Sequence, residues 1–193
     1  MGCSLWLHAA ILDIFRPHTQ GLPPGDSLLR TFSGNSTTPN SVCDASLKQL
    51  KLLIADYRAD HPSSCSILWH TALIYAINAI LNNRREGDWY SDLMVCIYAY
   101  GRLGKSWRVA KSITRSLLAL AVQKSDMASH AARRVLQDFS SNYWNELPGD
   151  DRAAFMADLS LALSDPDHAS VEHLAGELEG NLLVKDYTNV FDD

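Results

Sequence analysis

None of the short arrangements that carry chemistry by themselves occurs in these 193 residues. There is no GxSxG elbow, no P-loop, no glycine-rich dinucleotide fingerprint and no Cys/His spacing of the zinc-binding kind. The seven histidines are His8, His18, His61, His70, His130, His168 and His173, and no two are four apart, the spacing that aims two imidazoles of one helix at one ion. His168 and His173 are five apart, which splays them on a continuous helix. His70 sits in an apolar run and reads as a core histidine with its hydrogen bonds satisfied. Asp150-Asp151, and Asp165 and Asp167 around Pro166, fit helix N-termini, where negative charge is favourable. These absences predict a chain that is not an enzyme and that holds no catalytic, metal or cofactor residues of its own.

Positive charge is also scarce. The formal net charge is −5, and the doublets Arg84-Arg85 and Arg133-Arg134 stand alone. A nucleic-acid surface needs a basic stripe to neutralise phosphates, so none is expected here. The four cysteines, Cys3, Cys43, Cys65 and Cys96, form no CxxC pair, and reduced, mostly buried thiols are expected. The greasiest stretch, Ser66–Leu81, contains His, Thr and Asn and is too short to cross a membrane, so no membrane partner is expected. Leu5–Phe15 is apolar but carries His8 and Asp13 behind no basic segment, and reads as a helix rather than a secretory leader. The opening MGCSLW fails as a myristoylation signal because Trp6 stands where Ser or Thr is required.

What the chain does have is helical periodicity. Leu5–Phe15 is the first predicted helix, with Ser4 as N-cap and Pro17 as its stop. A long Gly-, Pro-, Ser- and Thr-rich loop over 18–42 follows; its Asn35-Ser36-Thr37 triplet matters only in a secreted chain. Asp44–Ala59 is next, with Leu47, Leu50, Leu53, Ile54 and Tyr57 on one stripe. Ser66–Leu81 is apolar on most faces, as a helix inside a bundle is. Trp89–Arg102, closed by Gly101 and Gly104, Ser106–Gln123 and Met127–Tyr143 continue the series. Asp150–Ser164 is read as a seventh helix, on Phe155, Met156, Leu159 and Leu163, and His168–Val184 as an eighth, weakened by Gly176 and Gly180.

The expected fold is all-α: a multi-helix bundle, or an irregular α-superhelix of antiparallel helix pairs, with a long loop after the first helix. Residues 1–164 form the helical domain, 165–184 a weak terminal helix and 185–193 a disordered acidic tail. Two features admit a functional reading. Trp69, Trp89, Tyr90, Tyr98, Tyr100 and Trp107 fall close together in sequence, as the rings of a small-molecule pocket would, although core packing has the same composition. The tail mixes Asp186, Asp192 and Asp193 with Tyr187, Val190 and Phe191, the composition of a transcriptional activation segment as well as of a solvated C-terminus.

One ordered series of residues points to a family. Leu7-His8, followed by Ile14-Phe15-Arg16-Pro17, precedes a variable loop and then SLKQLKLLIADYRADHP, ILWHTALIYAINAIL, WYSDLMVCIYAYGRLGKSW and RVAKSITRSLLALAVQ. Over about Leu5 to Asp138 this resembles the middle homology, or regulatory, region of the fungal zinc binuclear-cluster transcription factors, with a nitrogen-assimilation flavour. The resemblance implies a non-enzymatic regulatory domain that modulates transcription in the nucleus, or a cytoplasmic protein if the chain is free-standing. Leu7, His8, Phe15, Arg16 and Pro17 match the family motif as structural residues; Pro17 ends the helix, and Arg16 caps carbonyls or pairs with a carboxylate. The family's six-cysteine, two-zinc DNA-binding cluster and its coiled coil have no counterpart here. Zinc and DNA are therefore implied only for a domain this chain lacks, and the expected partners are proteins or the missing N-terminal part of the same factor. The chain then reads as the C-terminal part of such a region, with larger apolar surface than usual, most of all on the first helix. The alternatives are an unrelated helical interaction scaffold and a small-molecule-binding helical domain.

Overall fold

A computed structural model describes residues 2–19, 38–60, 68–82, 88–124, 127–144 and 155–188. Among them the backbone forms α1 (Gly2–Phe15), α2 (Pro39–Asp60), α3 (Leu68–Asn82), α4 (Trp89–Leu103), α5 (Val109–Lys124), α6 (Ser129–Asn142), α7 (Pro166–Ala169) and α8 (Val171–Thr188). No strand forms among the described residues; Met156 and Ser170 make an isolated antiparallel bridge. The fold is all-α and multi-helical, as the periodicity predicts. The chain divides into two compact units, Met1–Ser64 with Leu68–Ala79, and Cys65–Ile67 with Ile80–Asp193.

In the first unit α1 packs against α2. Leu5, Ala9 and Leu12 of α1 (i, i+4, i+7) and Leu47, Leu50 and Ile54 of α2 (i, i+3, i+7) are buried, the stripes of two amphipathic faces. Ser4 lies inside α1 rather than at its cap, since the helix starts at Gly2. Pro17 does end α1: the chain tightens into a 3₁₀ turn over Arg16–His18, with the proline at a position where its missing N–H costs nothing. Thr19 closes that turn, donating from its amide (3.1 Å) and its hydroxyl (2.8 Å) to the Arg16 carbonyl. α2 begins at Pro39 rather than at Asp44, which takes residues 39–42 out of the expected loop; residues 20–37 lie outside those described. Thr38 and Ser41 form a reciprocal cap, the Ser41 amide donating to Thr38 Oγ1 (3.2 Å) and the Thr38 amide to Ser41 Oγ (3.0 Å). Tyr57 stacks on Trp69 with ring centroids 3.9 Å apart.

The second unit is organised around α5. It packs against α4, α6 and α8, and is buried on nearly every side, from Ala110 and Ile113 to Leu120 and Ala121. Two hydroxyls inside this apolar surround are satisfied by the helix itself: Thr114 Oγ1 donates to the Ala110 carbonyl (2.6 Å) and Ser116 Oγ to that of Ile113 (2.8 Å). Of the two glycines expected to close α4, Gly104 does so. Gly101 lies inside the helix and Gly104, its C-cap, has φ −60°. Their lack of a side chain makes room for rings: a Cβ on Gly101 would stand 2.6 Å from Phe139, and one on Gly104 2.5 Å from the Trp144 indole nitrogen. Trp144 Nε1 donates to the Gly101 carbonyl at 3.3 Å.

The seventh predicted helix is corrected where it is described. Residues 155–164 are a run of turns, and 150–154 lie outside the described residues. The backbone there pairs elsewhere: the amides of Ala157 and Asp158 donate to the Ala169 carbonyl (2.8 and 3.2 Å), and that of Val171 to the Phe155 carbonyl (2.9 Å). Of the supposed inward face only Leu159 is half-buried; Phe155 and Met156 are partly exposed and Leu163 is 89% exposed, while Ala157 and Asp158 are buried. The eighth predicted helix is two. α7 is capped by Asp165, Ser170 turns extended (ψ 150°), and α8 then runs through both glycines to Thr188. Residues 185–188 of the expected tail are therefore helical, and 189–193 lie outside the described residues.

Candidate functional site

The motif residues of α1 separate into two groups. Arg16 reaches back one turn to Asp13, Nη2 to Oδ1 at 3.2 Å, so of its two expected roles it takes the carboxylate pairing. Tyr75 of α3 also hydrogen-bonds Asp13, and burial, then the Asp13 charge and hydrogen bond, push its hydroxyl up to about 12. Asp13 thus joins the end of α1 to α3 within the first unit. His8 and Phe15 are half-buried. The His8 Nδ1 and Arg16 Nη1 atoms are buried with no hydrogen-bond partner among the described residues. Leu7 belongs to the other group. With Trp6 and Ile14 it forms a second apolar stripe on α1, turned away from the packed one, and these side chains are 57%, 46% and 63% exposed. Of the expected activation tail, Asp186 and Tyr187 lie on the backbone of α8, and Val190, Phe191 and Asp192 lie outside the described residues.

The six aromatic residues are engaged in packing. Trp69 is stacked on Tyr57, Trp89 meets Tyr90 edge-on, Tyr98 sits edge-on to Phe139 at 5.0 Å, Trp107 to Phe155 at 6.3 Å, and Tyr100 is fully buried. Each of these is a ring-packing contact within its own unit. His70 is half-buried and its imidazole is lowered to about 4 by that burial, so it is neutral at physiological pH. Cys43 is raised to about 11, by burial and then by Asp44, and is a poor nucleophile.

Two polar constellations in the second unit were not visible as such in the sequence. Asp158 is nearly sealed from solvent and holds Lys124 at 2.7 Å, while its Oδ1 accepts from Ser160 Oγ (2.6 Å) and the Ser160 amide (2.9 Å). Burial alone would raise this carboxyl, but the Lys124 and Ser160 hydrogen bonds outweigh it and hold it below its ordinary value. Lys124 Nζ is 2.6 Å from Ser160 Oγ, yet an ammonium engaged by a carboxylate is no base for that hydroxyl. The group fastens the 155–164 turns to the end of α5.

The second constellation corrects the splayed reading of His168 and His173. The break at Ser170 folds α7 back so that the two rings meet edge-on, centroids 4.5 Å apart. His168 Nδ1 lies 2.9 Å from Asp165, and this hydrogen bond raises the imidazole and lowers the carboxyl. His173 Nε2 lies 3.5 Å from Glu177 Oε1, and the other oxygen of Glu177 accepts from Gln123 of α5. Among the described residues, no three carboxylate, thiol or imidazole groups are already gathered at metal-ligand spacing. No described helix is long and apolar enough to cross a membrane. Comparison of the chain with protein families, with curated proteins and with solved structures found no match.

Proposed function

We propose that this chain is a non-enzymatic regulatory domain of the fungal zinc-cluster transcription-factor type, acting in the nucleus through protein contacts. The observation that carries the reading is the second apolar stripe of α1. A helix that buries Leu5, Ala9 and Leu12 against α2 while leaving Trp6, Leu7 and Ile14 bare is built to meet something further. On this reading the bare stripe receives another part of such a regulatory region, or a separate protein, and DNA is reached only through a domain outside this chain. The ordered helices and the motif at Leu7-His8 and Phe15-Arg16-Pro17 support it.

The test is a reporter assay. The whole chain is fused to an unrelated DNA-binding module that carries its own activation segment, and output is compared with the unfused activator. A change in output that disappears in Leu7→Glu/Ile14→Glu, with the fusion still present at parental abundance, is the expected result. Output unaffected by the parent chain would remove the transcriptional reading. Capture of a partner through the same stripe without any reporter change would leave the interaction scaffold in its place.

A further inference from the structure

The charges of this chain are sorted along it. From Leu93 to Ser125 there are six cations, Arg102, Lys105, Arg108, Lys111, Arg115 and Lys124, and no carboxylate, although the whole chain holds 22 Asp and Glu against 17 Lys and Arg. Lys124 is engaged by Asp158. The other five follow one another at steps of three or four residues, from the end of α4 into the first turns of α5. We infer that this basic corner is a docking surface for an acidic segment of a partner protein, one rich in Asp and Glu. The patch lies in the second unit and is independent of the α1 stripe on which the regulatory reading stands. The cations share a side. The Lys105 amide donates to the Arg102 carbonyl (3.2 Å) and the Lys111 amide to that of Arg108 (3.0 Å), so each pair is stacked one turn apart. Ala110, Ile113, Thr114 and Leu117 take the buried side of α5, which leaves positions 108, 111 and 115 on the other, about 10 Å from first to last along the axis. Lys105 and Arg108 are exposed, and Arg102, Lys111 and Arg115 are half-buried.

The surface is held in shape before any partner arrives. Lys105 Nζ stands over the Tyr143 ring, 5.0 Å from its centroid, and the Arg115 guanidinium over the Trp144 ring at 6.0 Å. Trp144 is itself pinned by its bond to the Gly101 carbonyl and by the Phe139 ring. Cation–π contacts keep the two long side chains within a narrow range of directions, so less freedom is lost on binding. Arg102, Arg108, Lys111 and Arg115 already make local contacts. Ion pairs at a surface are individually weak, and they exchange for a denser run of negative charge. The same details select the partner. With cations on their faces and Trp144 only 8% exposed, the two rings are a poor platform for stacking bases. A nucleic-acid duplex carries one charge per about 1.7 Å and runs on past a patch of this length, toward a chain whose 22 carboxylates all lie outside the basic segment. A short acidic peptide matches the patch in charge and in length.

The experiment is fluorescence anisotropy with the whole chain and a labelled peptide of alternating Asp and Glu, about twelve residues long and so able to span the patch in helical or extended form. Saturable binding in about 50 mM salt that is lost at about 200 mM is expected, because exposed charges are screened. Lys105→Glu/Arg108→Glu, at two exposed positions, should weaken binding by about tenfold or more. Lys48→Glu/Lys51→Glu changes the net charge by the same amount on α2 of the first unit and should leave binding within about twofold. Far-UV circular dichroism of both variants should match the parent. In the parent, peptide-induced shifts of backbone 15N resonances should centre on residues 102–115, a readout that needs no substitution. No binding at the lower salt, an equal loss in the α2 variant, or shifts centred elsewhere would each overturn the assignment. Tighter binding of duplex DNA or of phosphatidylserine vesicles, lost in Lys105→Glu/Arg108→Glu, would overturn it in favour of a phosphate-bearing polyanion.

Discussion

Replacing glycine by alanine should have opposite signs at two places in the second unit. In an exposed helix interior the substitution is worth about 0.5–1 kcal/mol in favour of the folded state, because alanine gives up less backbone entropy. Gly176 of α8 has nothing within 4 Å of the added methyl, so Gly176→Ala should gain this amount. At Gly101 the methyl would meet Phe139 Cε1 and Cζ at 2.6 Å and Cδ1 at 2.9 Å. The ring cannot step aside, because Phe139 is fully buried and boxed by Tyr98, Tyr143 and Trp144 at 5.0, 5.8 and 5.3 Å. Overpacking of this kind costs about 1–3 kcal/mol, and the contact is close enough to place it in the upper half of that range. After the propensity gain is subtracted, Gly101→Ala should lose about 1–2.5 kcal/mol. For a chain of this size that lowers the melting midpoint by about 2–10 °C, against a rise of about 1–4 °C for Gly176→Ala. Thermal melts by circular dichroism read both. The double variant Gly101→Ala/Phe139→Leu should recover part of the loss, as a contact-mediated effect requires. Gly101→Ala as stable as Gly176→Ala, or a double variant that merely adds the two losses, would refute the packing argument.

Acid should weaken the second unit through Asp158. Its carboxyl is held below the ordinary value in the folded chain, so its contribution is present above the unfolded carboxyl value and fades as pH falls through the lower, folded one. Urea midpoints measured from pH 6 down to pH 2 should drop less steeply in Asp158→Asn than in the parent; parallel curves would show that the Lys124 pair does no such work. On α1, Leu12→Ala should cost about 2–5 kcal/mol, as a truncated core leucine does, whereas Leu7→Ala should stay within about 0.5 kcal/mol. Equal losses in urea titrations of the two variants would mean that the Leu7 stripe is not bare.

Periodicity was enough to find α1 to α6, because each carries an apolar stripe over several turns. It failed where tertiary pairing overrode it. Phe155, Met156, Leu159 and Leu163 have helical spacing, yet the backbone around Ala157 is claimed by Ala169, and Asp158 turns its side chain back onto Ser160. The early start of α2 was legible in principle: Thr38-Pro39-Asn40-Ser41 is a cap with proline at the first helical position, hidden by a polar composition that reads as loop. The His168–His173 approach could not be read from a spacing of five, because it depends on Ser170 leaving the helix; a serine followed by the apolar positions of α8 was the available signal. Pro17 marks the end of α1 at Phe15, since a proline fixes its own backbone wherever it stands.

The position of α5 bears on how the second unit is made. Two of its flanks are covered by α4 and α6, its neighbours along the chain, but its broadest contact is with α8, which is synthesised much later. Until α8 leaves the ribosome, a helix with Leu117, Leu118 and Leu120 on its surface has one side open to water. Nascent chains arrested before Val171 should therefore be captured by chaperones that bind exposed aliphatic segments, and release should coincide with emergence of Val171, Leu174 and Leu178, the residues that close that side.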